Sequence, residues 1–338
     1  DVYKRQLFGS VTWRVTDEIS MSLEGRAARD EIDQGQFIAS GGEERDLQGE
    51  WDSFTPRFIF DWKPTMSSTM YVNVAKGNKA GGFNVEIAEM ADNAIEEFER
   101  QFGAGVEIPE ENLWNYEAGY KGVFADGKHR FTAAIYFMDW ANQRLRQFEQ
   151  GFDTNGDGVV DENDNFQVDY DTVAGQSEIK GFEVFYWGAL GNHFNLNVGY
   201  NYNDAKYKNF NDSTHNAVYG DPQAAGKRIP RSPVHSGTLG LAFNHGIGSG
   251  AWDFYARADM TYIGSTYTWS VNLAETGVSN RTNIRLGFRS DRWDFSAWVN
   301  NVTDDDAMFA IRRFTDFWTF GQGFWGGVPT PREIGVTA

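Results

Sequence analysis

Between Thr12 and Ala338, segment after segment alternates apolar and polar residues with period two, and the connections switch regularly between a tight turn and a long loop. Alternation of this kind builds a strand with two unlike faces. Phe194, Leu196, Val198, Tyr200 and Tyr202 fall on one face, against Asn195, Asn197, Gly199, Asn201 and Asn203 on the other. Trp252, Phe254, Ala256, Ala258, Met260 and Tyr262 repeat the pattern against Asp253, Tyr255, Arg257, Asp259 and Thr261, as do Trp114, Tyr116, Ala118, Tyr120 and Phe124 against Asn115, Glu117, Gly119 and Lys121. Soluble antiparallel sandwiches also alternate, but their strands usually run about five or six residues. Several alternations here continue for about ten, the length a tilted strand needs to cross a bilayer.

Tight turns fall at Thr16–Glu18, Lys63–Ser67, Ala125–Lys128, Gly191–His193, His245–Gly250 and Ser290–Arg292. Long polar or glycine-rich connections lie between them, at roughly residues 30–53, 77–111, 149–171, 208–233, 264–280 and 304–330. Bacterial outer-membrane barrels place short turns in the periplasm and long loops outside. The reading is therefore an all-β, transmembrane antiparallel β-barrel, with about thirteen strands in this chain. Single-chain bacterial barrels have an even number of strands, so the expectation is a partial barrel whose first strand starts at the outer surface. Asp1–Gln6 (DVYKRQ) resemble the translated end of a sequencing adaptor and are set aside from fold reasoning, leaving 7–338 as one barrel domain.

Composition agrees with this class. Mean hydropathy is −0.53, yet a barrel hides its apolar residues in alternate positions, so a low mean does not argue against a membrane. Aromatic residues make up 16%, enough for interfacial girdles, for which Trp13, Trp62, Trp187, Trp252 and Trp293 are the candidates. There are no cysteines, and the net charge of −18 argues against nucleic acid and anionic lipid as partners. The five histidines show no metal-ligand spacing, and no nucleophile elbow, phosphate loop or dinucleotide fingerprint is present, so no enzymatic activity is expected.

Residues 111–148 (ENLWNYEAGYKGVFADGKHRFTAAIYFMDWANQRLRQF) resemble the strand-turn-strand signature of TonB-dependent outer-membrane receptors. Lys79–Asn84 (KAGGFN), Glu178–Glu183 (EIKGFE), Asn201–Tyr207 (NYNDAKY), Arg228–Gly237 (RIPRSPVHSG) and Trp298–Asp304 (WVNNVTD) follow in the order of that family's C-terminal barrel half. The resemblance implies a barrel of about twenty-two strands filled by a plug, in the bacterial outer membrane. It also implies import of a scarce ligand, by default a ferric siderophore, with energy from the TonB complex. Plug and TonB-binding segment are not among these residues, so that function is expected of a longer parent protein. A passive channel, a surface binding barrel, or a carbohydrate or cobalamin importer remain alternatives.

Two loops carry sharper signals. Asp153, Asn155, Asp157, Gly158, Asp161 and Asp164 stand in the order D-x-N-x-D-G-x-x-D-x-x-D. Calcium loops need hard oxygen ligands at this spacing, with a backbone carbonyl at the seventh position, here Val159, and glycine at the sixth. The expectation is an extracellular Ca2+ site that orders the loop, against the alternative of an acidic hairpin tip made of ordinary turn formers. The last long loop gathers Arg312, Arg313, Phe317, Trp318, Phe324 and Trp325, whose rings could stack on a siderophore or sugar while the arginines read carboxylates or catecholates. Packing on neighbouring loops or on the plug is the alternative for these rings, and plug carboxylates are alternative partners for the lumenal Arg257, Arg285 and Arg289.

Overall fold

A computed structural model describes residues 1–38, 44–164, 167–248, 251–315 and 322–338. In chain order its elements are β1 (Val2–Arg14), β2 (Ile19–Ile38), β3 (Glu44–Thr65), β4 (Ser68–Lys79), β5 (Gly82–Phe83), α1 (Val85–Ala88), α2 (Asp92–Phe102), β6 (Glu107–Ile108), β7 (Glu111–Phe124) and β8 (His129–Gln150). They continue with β9 (Gln167–Leu190), β10 (Phe194–Asn209), α3 (Ser213–Tyr219), β11 (His235–Ile247), β12 (Trp252–Ile263), β13 (Ser279–Arg289), β14 (Asp294–Asn300), β15 (Ala310–Thr315), β16 (Gln322–Gly327) and β17 (Glu333–Thr337).

Thirteen strands form one antiparallel sheet in the order β1-β2-β3-β4-β7-β8-β9-β10-β11-β12-β13-β14-β17, the count read from the sequence. The sheet is open, with β1 and β17 at its edges. β1 runs through residues 2–6, which the sequence reading had set aside, and pairs them with β2.

Register carries the alternation from strand to strand. Trp13, Met21, Phe60, Val72, Ala118, Ile135, Phe182 and Tyr202 are successive registered partners. Phe194, Phe243, Ala256, Leu286, Ala297 and Val336 continue the face through the remaining strands. Registered residues share a face, so these rows form one apolar band around the outside. Phe194 to Tyr202 spans roughly 27 Å along the strand and about 20 Å along the normal once tilted, close to the height of an outer-membrane apolar belt. The band ends where charges take over the outer face: Lys180 is registered with Asp204 and Glu178 with Lys206, and Lys206 lies 2.9 Å from Asp204.

Trp13, Trp62, Trp252 and Trp293 lie on the apolar face beside tight turns, as an interfacial girdle requires. Trp187 does not. It is registered with Arg130 and Asn197 on the lumenal face, one residue out of phase with the lipid-facing Tyr186, and Arg130 lies over its ring at 6.0 Å.

The buried apolar core is not in the barrel wall. Lipid completes the outer face and water or a plug the inner one, so large apolar residues such as Leu7, Leu239, Leu286 and Val336 are exposed along the strands. The core lies in the long connections instead. Ile87, Met90, Phe98, Phe152, Val168 and Tyr170 form its main cluster, with Phe98 edge-on to both Phe152 and Tyr170 at 5.0 Å. A second cluster joins Tyr207, Phe210, Ala174 and Ala224.

Two of the expected long loops contain more structure than their composition suggested. Pairing of β2 with β3 continues through Asp30, opposite Trp51, to Ile38, opposite Glu44, so most of residues 30–53 is strand that projects beyond the apolar band. Polar residues there occupy both faces, which erases the period-two signal. The connection at 77–111 holds α2, whose Ala94, Ile95, Phe98 and Phe102 repeat at helical spacing and face the core, and which ends at Gly103 with φ 67°.

Candidate functional site

The lumenal face of β4 to β10 is polar and tightly interlocked. Tyr71 lies across Gly119, its registered partner on β7, where a Cβ would come within 2.6 Å of the ring. Tyr136 does the same over Gly181, whose added Cβ would meet its hydroxyl at 2.6 Å and the Tyr202 carbonyl at 2.0 Å. The glycines of the YEAG and KGFE segments are thus slots for tyrosines from the next strand. The Tyr71 hydroxyl donates to Glu117 at 2.6 Å, and Tyr136 donates to Asn201 at 3.1 Å. Glu183 shares this face and has neither hydrogen bond nor ion pair among the described residues. Further round the wall Arg257 is held by its neighbour Asp259 at 2.6 Å, and Arg289 lies over the Tyr255 ring at 5.6 Å.

The connections above this wall are locked by two asparagines that each act as a one-residue strand. Asn84, from the KAGGFN segment, accepts from Asp171 N at 2.7 Å and donates to Asp171 O at 3.0 Å, tying the 80–110 connection to β9. Asn272 treats Arg228 in the same way, at 2.7 and 3.0 Å, and so joins the connection after β10 to the one after β12. Gly81 lets Trp51 pack, since a Cβ there would overlap the indole at 2.0 Å. Asp212 caps α3 by accepting from Thr214 N at 2.8 Å, and its other oxygen accepts from the Ser270 hydroxyl. Neighbouring strands are therefore capped by a shared layer rather than by independent loops.

The acidic loop is part of that layer. Phe152 enters the main core, Ala91 N donates to Thr154 O at 3.1 Å, and Asn93 donates to Gly156 O at 2.7 Å. Gly158 has φ 88°, the left-handed turn that the sixth position demands. Side-chain oxygens of the loop are turned onto its own backbone: Asp153 accepts from Gly156 N and Gly158 N, Asn155 from Asp157 N, and Asp157 from Val159 N. Asp164 accepts from Thr154 N, Asn155 N and Asp161 N; burial works against its charge, but these three amides and the Thr154 hydroxyl hold its pKa below the usual value. Asp161 accepts from Asn163 N. Among the described residues no three acidic or histidine side chains converge as a metal-binding group.

Of the aromatic cluster, Phe317 and Trp318 lie outside the described residues. β15 and β16 form a hairpin that places Arg312 opposite Trp325 and Arg313 opposite Phe324, and Trp325 is exposed. Beneath the base of this hairpin, at the outer ends of β12 and β13, is a cavity of about 790 Å3. Arg231, Thr261, Thr276 and Arg281 line its polar side, and Met308 and Phe309 its apolar side. Sequence reading did not single out Arg231 or Arg281; Arg231 sits in the RIPRSPVHSG segment, whereas Arg281 falls just after the long connection at 264–280.

A sheet with an apolar outer belt, a tryptophan girdle beside its tight turns, a polar lumenal wall and long capped connections at one end defines a bacterial outer-membrane β-barrel. The chain belongs to the TonB-dependent receptor family: the family described as "TonB dependent receptor-like, beta-barrel" matches residues 1–302. A probable TonB-dependent siderophore receptor, PiuA of Acinetobacter baumannii, is 24% identical over 298 residues, covering 86% of this chain and 35% of that protein. Its crystal structure superposes with a TM-score of 0.67 at 17% identity, over 99% of this chain and 42% of PiuA. The ferric yersiniabactin uptake receptor FyuA of Yersinia pestis gives 0.70 at 16% identity, over 99% of this chain and 45% of FyuA. At such identities the structures speak for the fold. The chain spans less than half the length of each of these proteins. The family is one of receptors and transporters, not enzymes.

Proposed function

We propose that the parent receptor imports a ferric siderophore across the outer membrane, with a plug domain in the lumen and energy supplied by the TonB complex. The observation that carries this reading is the 298-residue match to a probable siderophore receptor. The lumenal wall supports it, because Glu183 lacks a cationic partner among the described residues and would be met by a basic group of a plug. Arg312, Arg313, Phe317, Trp318, Phe324 and Trp325 would contact ligand at the outer mouth, and no enzymatic step is assigned. Cells whose only iron-chelate receptor is the parent protein are expected to accumulate radiolabelled ferric siderophore, and to stop when TonB is deleted. Uptake that continues without TonB would instead identify a passive channel.

A second reading concerns the acidic loop. We propose that residues 153–164 bind Ca2+, because Gly158 already has the required left-handed turn and, among the described residues, one oxygen each of Asp157 and Asp161 accepts no hydrogen bond. Asp164 would have to exchange its amide donors for the ion, so uptake in the range of about 10⁻⁴ to 10⁻³ M is expected. In the full-length receptor, calcium at millimolar level should protect this loop from proteolysis, and Asp157→Asn with Asp161→Asn should remove the protection. Unchanged cleavage, with no heat of binding at the same concentration, would show that the loop is closed by its own backbone instead.

A further inference from the structure

The cavity beneath the β15–β16 hairpin has a charge that its surroundings do not predict. The chain carries 48 acidic and 30 basic residues, yet among the described residues two arginines and no carboxylate line this space, with Asp305 behind Arg281. Thr261, Ser279, Arg281 and Asn283 project into it from the lumenal faces of β12 and β13. Arg281 is held loosely. Its Nε is buried without a hydrogen-bond partner, and its ion pair with Asp305 Oδ2 is long, at 3.9 Å. That oxygen also accepts from the Ser279 hydroxyl at 2.7 Å and Asn280 N at 2.9 Å, so its pairing with Arg281 is electrostatic and leaves Nε without a hydrogen bond. Arg231 comes from the opposite side on a backbone held at φ 58°, where its N–H donates to Tyr267 O at 2.9 Å. Its side chain has no ion pair or hydrogen bond among the described residues. The facing wall is apolar, with Met308, Phe309 and Ile311.

A buried guanidinium donor without an acceptor is unfavourable unless a ligand supplies one. Carboxylates and catecholates are planar anions that match the arginine fork, and an apolar wall opposite suits an aromatic or alkyl body. At about 790 Å3 the space lies within the range of small-ligand sites. We propose that this cavity makes the receptor selective for anionic iron chelates, bearing carboxylate or catecholate groups, over neutral hydroxamates, with Arg231 and Arg281 as the residues that read the charge. The proposal rests on the importer reading and adds the chemical class of its ligand.

The test uses full-length receptor in detergent and three probes: a ferric tris(catecholate), a ferric citrate complex and a neutral ferric tris(hydroxamate), with binding read by tryptophan quenching. At least one anionic probe is expected to bind more tightly than the hydroxamate. Arg281→Gln and Arg231→Gln are each expected to weaken it by about tenfold or more, since each removes a charge-assisted contact. Arg281→Lys should retain part of the affinity, because it keeps the charge and loses the fork. Folding of each variant is checked by its heat-dependent mobility on gels, and Arg231→Gln, at an exposed position, provides a readout even where Arg281→Gln misfolds. Preferential binding of the hydroxamate, or anionic binding unchanged in the folded variants, overturns the proposal and leaves the importer reading standing. Binding of none of the three, together with no iron uptake by cells, overturns both.

Discussion

Val198→Arg is expected to cost the folded receptor about 2–4 kcal/mol, while Asn197→Arg, one residue away, leaves stability nearly unchanged. Val198 is registered with Tyr186 on β9 and Leu239 on β11, near the middle of the apolar belt, where a guanidinium would have to leave water for hydrocarbon. Asn197 is registered with Trp187 and Gly240 on the opposite face, and an arginine there reaches the polar lumen. The pair isolates the direction a side chain points, since both changes add the same charge to the same strand. Denaturant titration of the full-length receptor in lipid bilayers measures the difference. Equal losses, or a larger loss for Asn197→Arg, would mean that the lipid-facing and lumenal faces have been assigned the wrong way round.

Phe98→Ala should have an effect as large but confined to the outer cap. Phe98 is fully buried, against Phe102 at 4.6 Å and against Phe152 and Tyr170 at 5.0 Å, so truncation leaves a cavity that costs about 3–5 kcal/mol. Its neighbours belong to α2, the acidic loop and the start of β9, and none lies in the membrane-spanning part of a strand. Hydrogen exchange is therefore expected to quicken in residues 85–110 and 151–170 while β10 to β13 keep their protection. Loss of protection in both places together would show that cap and wall unfold as one unit.

The wall was legible in the sequence because its chemistry repeats. Every membrane-spanning strand must show lipid one set of residues and the lumen another, so period two marks both the strand and its orientation. Turns such as Ala125–Lys128 and Gly191–His193 match the gaps between β7 and β8 and between β9 and β10. Trp187 escaped because an aromatic residue on the lumenal face, stacked with Arg130, looks in sequence like a girdle residue. The cap was much less legible. Its cohesion comes from contacts distant in sequence, such as Asn84 with Asp171 and Asn272 with Arg228, which no local pattern encodes. The acidic loop shows both sides of this: its turn geometry was readable from glycine spacing, whereas the use of its carboxylates by the loop backbone was not. The arginines of the cavity were hidden for a similar reason, since Arg231 and Arg281 are brought together only by the fold.

The central claim is that the thirteen-stranded sheet crosses the outer membrane with its long, capped connections outside and its tight turns in the periplasm. This chain contains no cysteine, so a single cysteine placed in it is read against the unsubstituted receptor as control. Asp157→Cys, in the acidic loop, and Asp126→Cys, in the turn between β7 and β8, would be introduced into the full-length receptor in cells. Each would be treated with a polymer-linked maleimide too large to pass the outer membrane. Labelling of Asp157→Cys in intact cells, with Asp126→Cys labelled only after the outer membrane is permeabilised, is the predicted result. Labelling of Asp126→Cys in intact cells, with Asp157→Cys protected until permeabilisation, would contradict it.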